Sequence, residues 1–309
     1  MTSTKLAAQA ILEVKKAIVG KDTVLVKVLL AILAGGHILL EDIPGVGKTT
    51  MALAFSRALG LQYGRVQFTP DVMPSDLTGF SMVSRETGRL EYQPGALMCN
   101  LFLADELNRA TSRTQSALLE AMEEGQVTVD GVSHPVPQPF LVIATQNPVG
   151  ASGTQLLPDS QLDRFMLRLS IGYPKPADER ELLRRKQQGS GLESVRQVLS
   201  HEELQQLRAA VEQVYLSDEV LDYVVRLVGA TRTHPGILQG GSPRASLALA
   251  SVSQAYAFVH DRDYVVPEDV QAMFCDTIVH RLVPAAGGQA ECAAAAGEIL
   301  ASVAAPKIR

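Results

Sequence analysis

Leu6, Ala10, Ile11, Val14 and Ile18 recur at the spacing that lines one face of an α-helix, and Gly20 is placed to stop it. A second helix is predicted from Asp22, a residue type that caps helix N-termini, with Val24, Leu25, Val28, Leu29, Ile32 and Leu33 as its buried stripe. The period then changes. His37-Ile38-Leu39-Leu40 is a short, largely apolar run of the kind found in a strand buried on both faces. Similar runs return at Val66-Gln67-Phe68, at Leu101 to Ala104 and at Phe140 to Ala144. Helical segments lie between them, from Thr49 to Leu59 and from Ser112 to Glu123. The second opens on Ser112-x-x-Gln115, a capping-box pattern. Strands alternating with helices predict an α/β fold: a parallel sheet covered by helices on both faces.

One segment interrupts that alternation. Gln126 to Val129, then Asp130-Gly131, then Val132 to Val136 predict a β-hairpin on a tight turn, with Pro135, Pro137 and Pro139 confining its return strand to an edge. After Tyr173-Pro174-Lys175-Pro176 the strand signals stop, and amphipathic helical patterns such as Leu221, Val224, Val225 and Val228 take over. This predicts an α/β domain over residues 1–174 and an all-α domain over 175–309.

Composition narrows the class. Of 309 residues, 46% are hydrophobic and 20% charged, which suits a folded globular chain and excludes a disordered one. The net charge of −5 excludes an overall basic field for nucleic acid, leaving only a local basic channel in an assembled oligomer. The longest apolar candidate for a membrane span, Val28 to Leu40, is broken by Gly35, Gly36 and His37, and no secretory signal is evident. Cys99, Cys275 and Cys292 lack metal-ligand spacing and read as reduced thiols. A cytoplasmic protein is expected.

Candidate chemistry begins at Asp42-Ile43-Pro44-Gly45-Val46-Gly47-Lys48-Thr49, which follows a predicted strand and opens a helix. That is the context of a phosphate-binding loop, where backbone N–H groups at a helix N-terminus face an anion. Lys48 would reach the β- and γ-phosphates, and the Thr49 hydroxyl would bind Mg²⁺. The usual first glycine is replaced by Asp42. The next signal is Asp105-Glu106, placed by Leu101 to Ala104 at the carboxyl end of a buried strand, the edge where open α/β sheets bind ligands. Asp105 would join the Mg²⁺ shell and Glu106 would orient and polarise a water. A water-activating acid favours hydrolysis over a small-molecule kinase, and Leu238-Gln239-Gly240-Gly241 is not the signature of a transporter ATPase. Asn147, ending the following strand, could hold the same water. Arg164, Arg168 and Arg244 are candidates to neutralise a γ-phosphate, and spacing alone leaves them equally open to surface ion pairs.

These stretches resemble the MoxR group of AAA+ ATPases. The resemblance rests on Leu39 to Thr49, Gln67 to Asp71, Leu103 to Ala110, Thr114 to Met122, Ala144 to Pro148, Leu162 to Phe165 and Ser242 to Ala245. Asp42 also fits it, because the group commonly carries E-D-x-P-G there. The resemblance implies an AAA+ nucleotide domain with a helical lid. ATP would be held by Pro44, Gly45, Val46, Gly47, Lys48, Thr49 and Thr50, with the adenine near Val19 and Gly20 between the domains. It implies Mg²⁺ on Thr49 and Asp105, with Glu106 and the first sensor Asn147 at the attacking water. Arg164 would be the arginine finger acting on a neighbouring subunit. Arg244 would be the second sensor, reaching the γ-phosphate from the lid and coupling nucleotide state to domain closure.

The hairpin around Asp130-Gly131 resembles the group's pre-sensor insertion, and Gly79 to Gly95 its helix-two insertion. Members are similar to chaperones that form hexameric homo-oligomers. They often work with von Willebrand factor A-domain partners to insert metals into protein clients or mature them. The loop Val149 to Gln155 and Gly95-Ala96-Leu97-Met98 depart from the group's pattern, which bears on client or neighbour contacts. The expected function is ATP hydrolysis that remodels a protein client. The alternatives are a nucleotide-gated binding scaffold and a nucleic-acid remodeller. The latter calls for a basic hairpin, whereas Gln126 to Pro139 holds neither Lys nor Arg.

Overall fold

The structure is a computed structural model and describes residues 3–43, 45–146, 157–188 and 191–307. Two helices, α1 (Ser3–Val14) and α2 (Asp22–Leu33), precede strand β1 (Ile38–Glu41). Then come α3 (Lys48–Ala58), β2 (Tyr63–Gln67), the short α4 (Pro74–Thr78), the hairpin β3 (Gly79–Val83) and β4 (Leu90–Pro94), and β5 (Leu101–Asp105). These lead to α5 (Ser112–Glu124), the hairpin β6 (Gln126–Val129) and β7 (Val132–Pro135), β8 (Leu141–Gln146), α6 (Asp159–Leu162) and β9 (Leu167–Leu169). The remainder is helical: α7 (Pro176–Gln188), α8 (His201–Glu212), α9 (Asp218–Thr231), α10 (Pro243–Val259), α11 (Pro267–Ile278) and α12 (Gln289–Ser302). A small antiparallel ribbon of β10 (Ile237–Gln239) and β11 (Val283–Pro284) is set among these helices.

The main sheet is parallel throughout, in the order β2-β5-β8-β1-β9. Because strand side chains alternate in direction, each strand feeds two cores. Ile38, Leu40, Leu101, Leu103, Leu141 and Ile143 face an apolar cluster that includes Ala10 of α1, Phe55 of α3 and Leu204, Val224 and Val252 of the later helices. Leu39, Phe102, Ala104, Val142 and Ala144 face the other cluster, closed by Leu77 of α4 and Leu118, Leu119 and Met122 of α5. The predicted double-sided sheet is thus present. All its strands run the same way, so their carboxyl ends gather at one edge: Asp42, Asp105 and Gln146 mark it.

Several local expectations change. The first helix stops at Val14, six residues before Gly20, and passes into a hydrogen-bonded turn. Lys21 is the N-cap of α2, and Asp22 lies inside it, paired with Lys15. The α5 cap is Thr111, whose hydroxyl accepts from the Thr114 amide; Gln115 instead donates to the carbonyls of Leu107 and Ala110. Placing the cap one residue earlier frees Gln115 to brace the turn before the helix. The Asp130-Gly131 hairpin forms as predicted, with φ of 50° and 78° matching the twist of a two-residue turn. No helix among the described residues is long and apolar enough to cross a membrane. Cys99, Cys275 and Cys292 are free thiols.

Candidate active site

The loop after β1 narrows onto Gly47, whose φ of 98° is a conformation that side-chain-bearing residues adopt only under strain. Helix α3 starts at the next residue, so its unpaired first-turn amides face the cleft. Lys48 is 7% exposed, and its Nζ donates to the Asp42 carbonyl oxygen at 2.6 Å. Burial pulls its pKa below the ordinary lysine value, while Asp42, Asp105 and Glu106 pull it back up.

Asp42, the replacement for the first glycine, ties this loop to the end of β9. Its Oδ2 accepts from the Ile171 amide at 2.6 Å, the Gly172 amide at 2.5 Å and the Ser170 hydroxyl at 3.0 Å, and its Oδ1 accepts from the Ile43 amide. Burial alone would raise its pKa, but these donors outweigh it and hold the carboxyl below its ordinary value.

Across the cleft, β5 delivers Asp105 and Glu106. Asp105 Oδ2 accepts from Arg65 Nη2 at 2.8 Å, and its Oδ1 from the Thr145 hydroxyl at 2.7 Å. Glu106 sits at φ 57° and ψ 45°, the left-handed region, which costs a non-glycine residue on the order of 1 kcal/mol. Its Oε2 accepts from Arg109 Nη1 at 2.8 Å. Gly45, Gly47, Lys48, Thr49, Thr50, Asp105 and Glu106 therefore line one cleft of about 320 Å³, with Arg65 and Gln67 of β2 closing its side.

The Thr49 hydroxyl and the Asp105 carboxylate are hard oxygen donors of the kind Mg²⁺ takes, and Arg65 already sets a positive charge against Asp105. Among the described residues there is no group of three or more His, Cys, Asp or Glu that could hold a metal ion. Ile18, next to Val19, approaches Gly47 to about 4 Å of where a Cβ would stand. Gly20 lies against Asp178 of α7, and Lys21 Nζ donates to the carbonyls of Ile171, Gly172 and Tyr173. The Val19-Gly20 turn thus stands beside the loop and the β9–α7 link.

The arginines lie elsewhere. Arg164 and Arg244 border a cavity of about 330 Å³ with His37, Glu123, Asp163 and Arg281, at the amino end of β1, whereas Lys48 follows its carboxyl end. Arg244, expected to reach the γ-phosphate from the lid, lines this cavity and not the cleft at Lys48. The start of α10 is fixed at this opposite end by Ser242, whose hydroxyl donates to Asp163 at 2.8 Å, and Arg244 itself pairs with Glu123. Arg168 pairs with Glu41 at 3.2 Å and lines neither of these two cavities. Pro44 and Asn147 lie outside the described residues. The roles of Arg65, Thr145 and Glu123 carried no sequence signal, although Thr145 sits within the Ala144 to Pro148 stretch and Gln67 within a predicted strand.

A family model described as "ATPase family associated with various cellular activities (AAA)" matches residues 37–167, and an AAA lid domain matches residues 229–300. The uncharacterized protein YeaC of Bacillus subtilis is 45% identical over 278 residues, 90% of this chain and 87% of that one. Chaperone MoxR1 of Mycobacterium tuberculosis is 40% identical over 89% of this chain and 75% of its own length. A crystal structure of a protein from Cytophaga hutchinsonii, provisionally assigned as an ATPase, superposes with a TM-score of 0.91 at 36% identity, covering 99% of this chain and 96% of that one. With the loop, the paired acids and the helical lid in matching order, the chain belongs to the MoxR family of AAA+ ATPases.

Proposed function

We propose that this chain hydrolyses Mg·ATP in a homo-oligomeric ring and uses the cycle to remodel a protein client. The observation that carries this reading is the juxtaposition of Lys48 and Thr49 with Asp105 and Glu106 in one cleft. Lys48, already buried, exchanges its contact with the Asp42 carbonyl for phosphate oxygens. Thr49 and Asp105 would hold Mg²⁺, which supplies charge to the β- and γ-phosphates when bound. Glu106 accepts the proton of the attacking water, its carboxylate aimed by Arg109. Asn147 completes the water's surroundings, and Val19 and Gly20 receive the adenine.

The two arginines stand at the far end of the sheet from this cleft, so a second copy is required to bring them to it. Arg164 and Arg244 then act together on the neighbour's γ-phosphate, and a closed ring, most simply a hexamer, supplies each cleft with such a pair. We take residues 1–174 as the nucleotide domain and 175–309 as the lid. A von Willebrand factor A-domain partner and a client matured or loaded with metal are part of this proposal, and the name of the mycobacterial relative, a chaperone, supports that use.

The test is phosphate release from ATP by the purified chain, with and without EDTA, alongside light scattering with and without nucleotide. Magnesium-dependent turnover that rises on assembly is expected. A monomer without turnover under all conditions would refute the reading.

A further inference from the structure

A single hydroxyl touches both acids of the cleft. Thr145, on β8, is fully buried, and its Oγ1 accepts from the backbone N–H of Glu106 at 2.8 Å while donating to Oδ1 of Asp105 at 2.7 Å. The direction of both bonds is fixed: an amide N–H can only donate, and an ionised carboxylate can only accept. The hydroxyl is thus used once each way, in a buried relay whose two bonds polarise each other.

Sheet register is what makes this contact possible. Ala104 pairs with Ala144 between β5 and β8, so Asp105 and Thr145 are the next positions on each strand and point to the same face. The threonine hydroxyl supplies both a donor and an acceptor from one short side chain. Valine has the same shape and can do neither.

We propose that Thr145 is a positioning residue for the hydrolysis assigned above, on which this inference rests. Its hydroxyl fixes the rotation of the Asp105 carboxylate. It also holds the Glu106 backbone in the left-handed turn, at φ 57°, from which the Glu106 side chain enters the cleft beside Lys48 and Thr49. Arg65 and Arg109 hold the outer oxygens of the two acids from exposed positions. Thr145 holds both acids from inside the sheet, so one group keeps them in step. Lys48 and its loop hang on β1 and α3, and phosphate binding does not pass through Thr145.

The experiment compares Thr145→Val, Thr145→Ser and Thr145→Ala in the full chain. It measures steady-state turnover of Mg·ATP, affinity for a fluorescent ADP analogue at several Mg²⁺ concentrations, and the melting curve. Loss of aim at Glu106 should lower kcat of the valine variant roughly 10- to 100-fold, as misplacements of about 1 Å do. Its affinity for the ADP analogue without Mg²⁺ should stay that of the unsubstituted chain, while the gain in affinity on adding Mg²⁺ shrinks. Serine should restore both readouts. Should the valine variant fail to melt cooperatively, serine against alanine makes the same comparison, because those two differ only in the hydroxyl. A valine variant with unchanged kcat, a serine variant as slow as valine or alanine, or an equal loss of Mg²⁺-free affinity overturns the proposal. Absence of turnover in the unsubstituted chain overturns the ATPase reading, and this role with it.

Discussion

Arg164 and Arg244 reach one carboxylate from two parts of the chain: Arg164 Nε donates to Glu123 Oε2 at 3.0 Å, and Arg244 takes Oε1 of the same group. One acid between two guanidinium groups leaves positive charge in excess at the edge that the proposed ring turns toward its neighbour.

Mixing experiments should follow that geometry. An arginine supplied in trans is worth about 10³ to 10⁵ in turnover, so Arg164→Ala and Arg244→Ala should each be nearly inactive while binding ATP normally. Either should regain turnover when mixed with Glu106→Gln, because some interfaces then join an intact cleft to an intact edge. A mixture of the two arginine variants should stay inactive, since no edge in it carries both groups. Recovery in that last mixture, in rings shown by light scattering to be mixed, would place the two arginines at different sites.

Residues of the cleft itself should behave otherwise. Glu106→Gln is expected to abolish turnover and keep nucleotide affinity, whereas Lys48→Ala should lose affinity. Arg109 contacts Glu106 of its own chain, so Arg109→Ala mixed with Glu106→Gln leaves every cleft damaged and should show no recovery. Turnover in that mixture would make Arg109 a residue of the edge.

How much of this could be read in advance depended on reach along the chain. The strands at Leu101 to Ala104 and Phe140 to Ala144 were legible because a strand buried on both faces must be apolar at every position, a demand that stays local. Lys48 and Thr49 were legible because they open the helix after such a strand, and Asp105 and Glu106 because they stand at the end of one. Asp42 looked like a departure, because its partners at Ser170 to Gly172 are about 130 residues away and join it only once β9 lies beside β1. The surroundings of Arg244 were not legible for the same reason: Ser242, the N-cap of its helix, is anchored to Asp163 by a contact that no spacing reveals.

Asp42 gives a stability test. Asp42→Asn keeps the shape but replaces a charge-assisted acceptor, and should cost about 2 kcal/mol in chemical denaturation at neutral pH. The carboxyl is held below its ordinary value of 3.8, so its contribution is complete above that value and fades as pH falls below it. The gap between variant and parent should therefore narrow only in strong acid. A gap that is flat with pH would show that the carboxylate's charge contributes nothing.

His37 acts in a different window. Its Nδ1 accepts from the Val142 amide at 3.0 Å and its Nε2 donates to the Met122 carbonyl, which fixes a neutral ring. Burial first, with Arg208 adding to it against the pull of that carbonyl, lowers the pKa from 6.5 to about 4. Between those values the unfolded chain holds a proton that the folded chain does not, so stability falls as pH drops from 6.5 toward 4. The slope is at most about 1.4 kcal/mol per pH unit for one proton. His37→Gln should flatten this part of the stability–pH curve, with His280, also buried and neutral, retaining a slope of its own. An unchanged curve would mean that His37 is charged in the folded chain.

One apolar cluster runs from Ala7 and Val14 of α1 through Leu40 of β1 to Leu204, Val224 and Val252 of α8, α9 and α10, so the two parts separated by chain order share a single interior. A hinge needs a thin crossing that can open without exposing apolar surface, and here the crossing is the core itself. Under the proposed cycle, motion driven by nucleotide would be shear, with packed helices sliding over the sheet by fractions of a side chain while staying in contact. A protease nick between Gly172 and Lys175 would leave two fragments travelling as one particle, and a ring built from such subunits would transmit force as a stiff body.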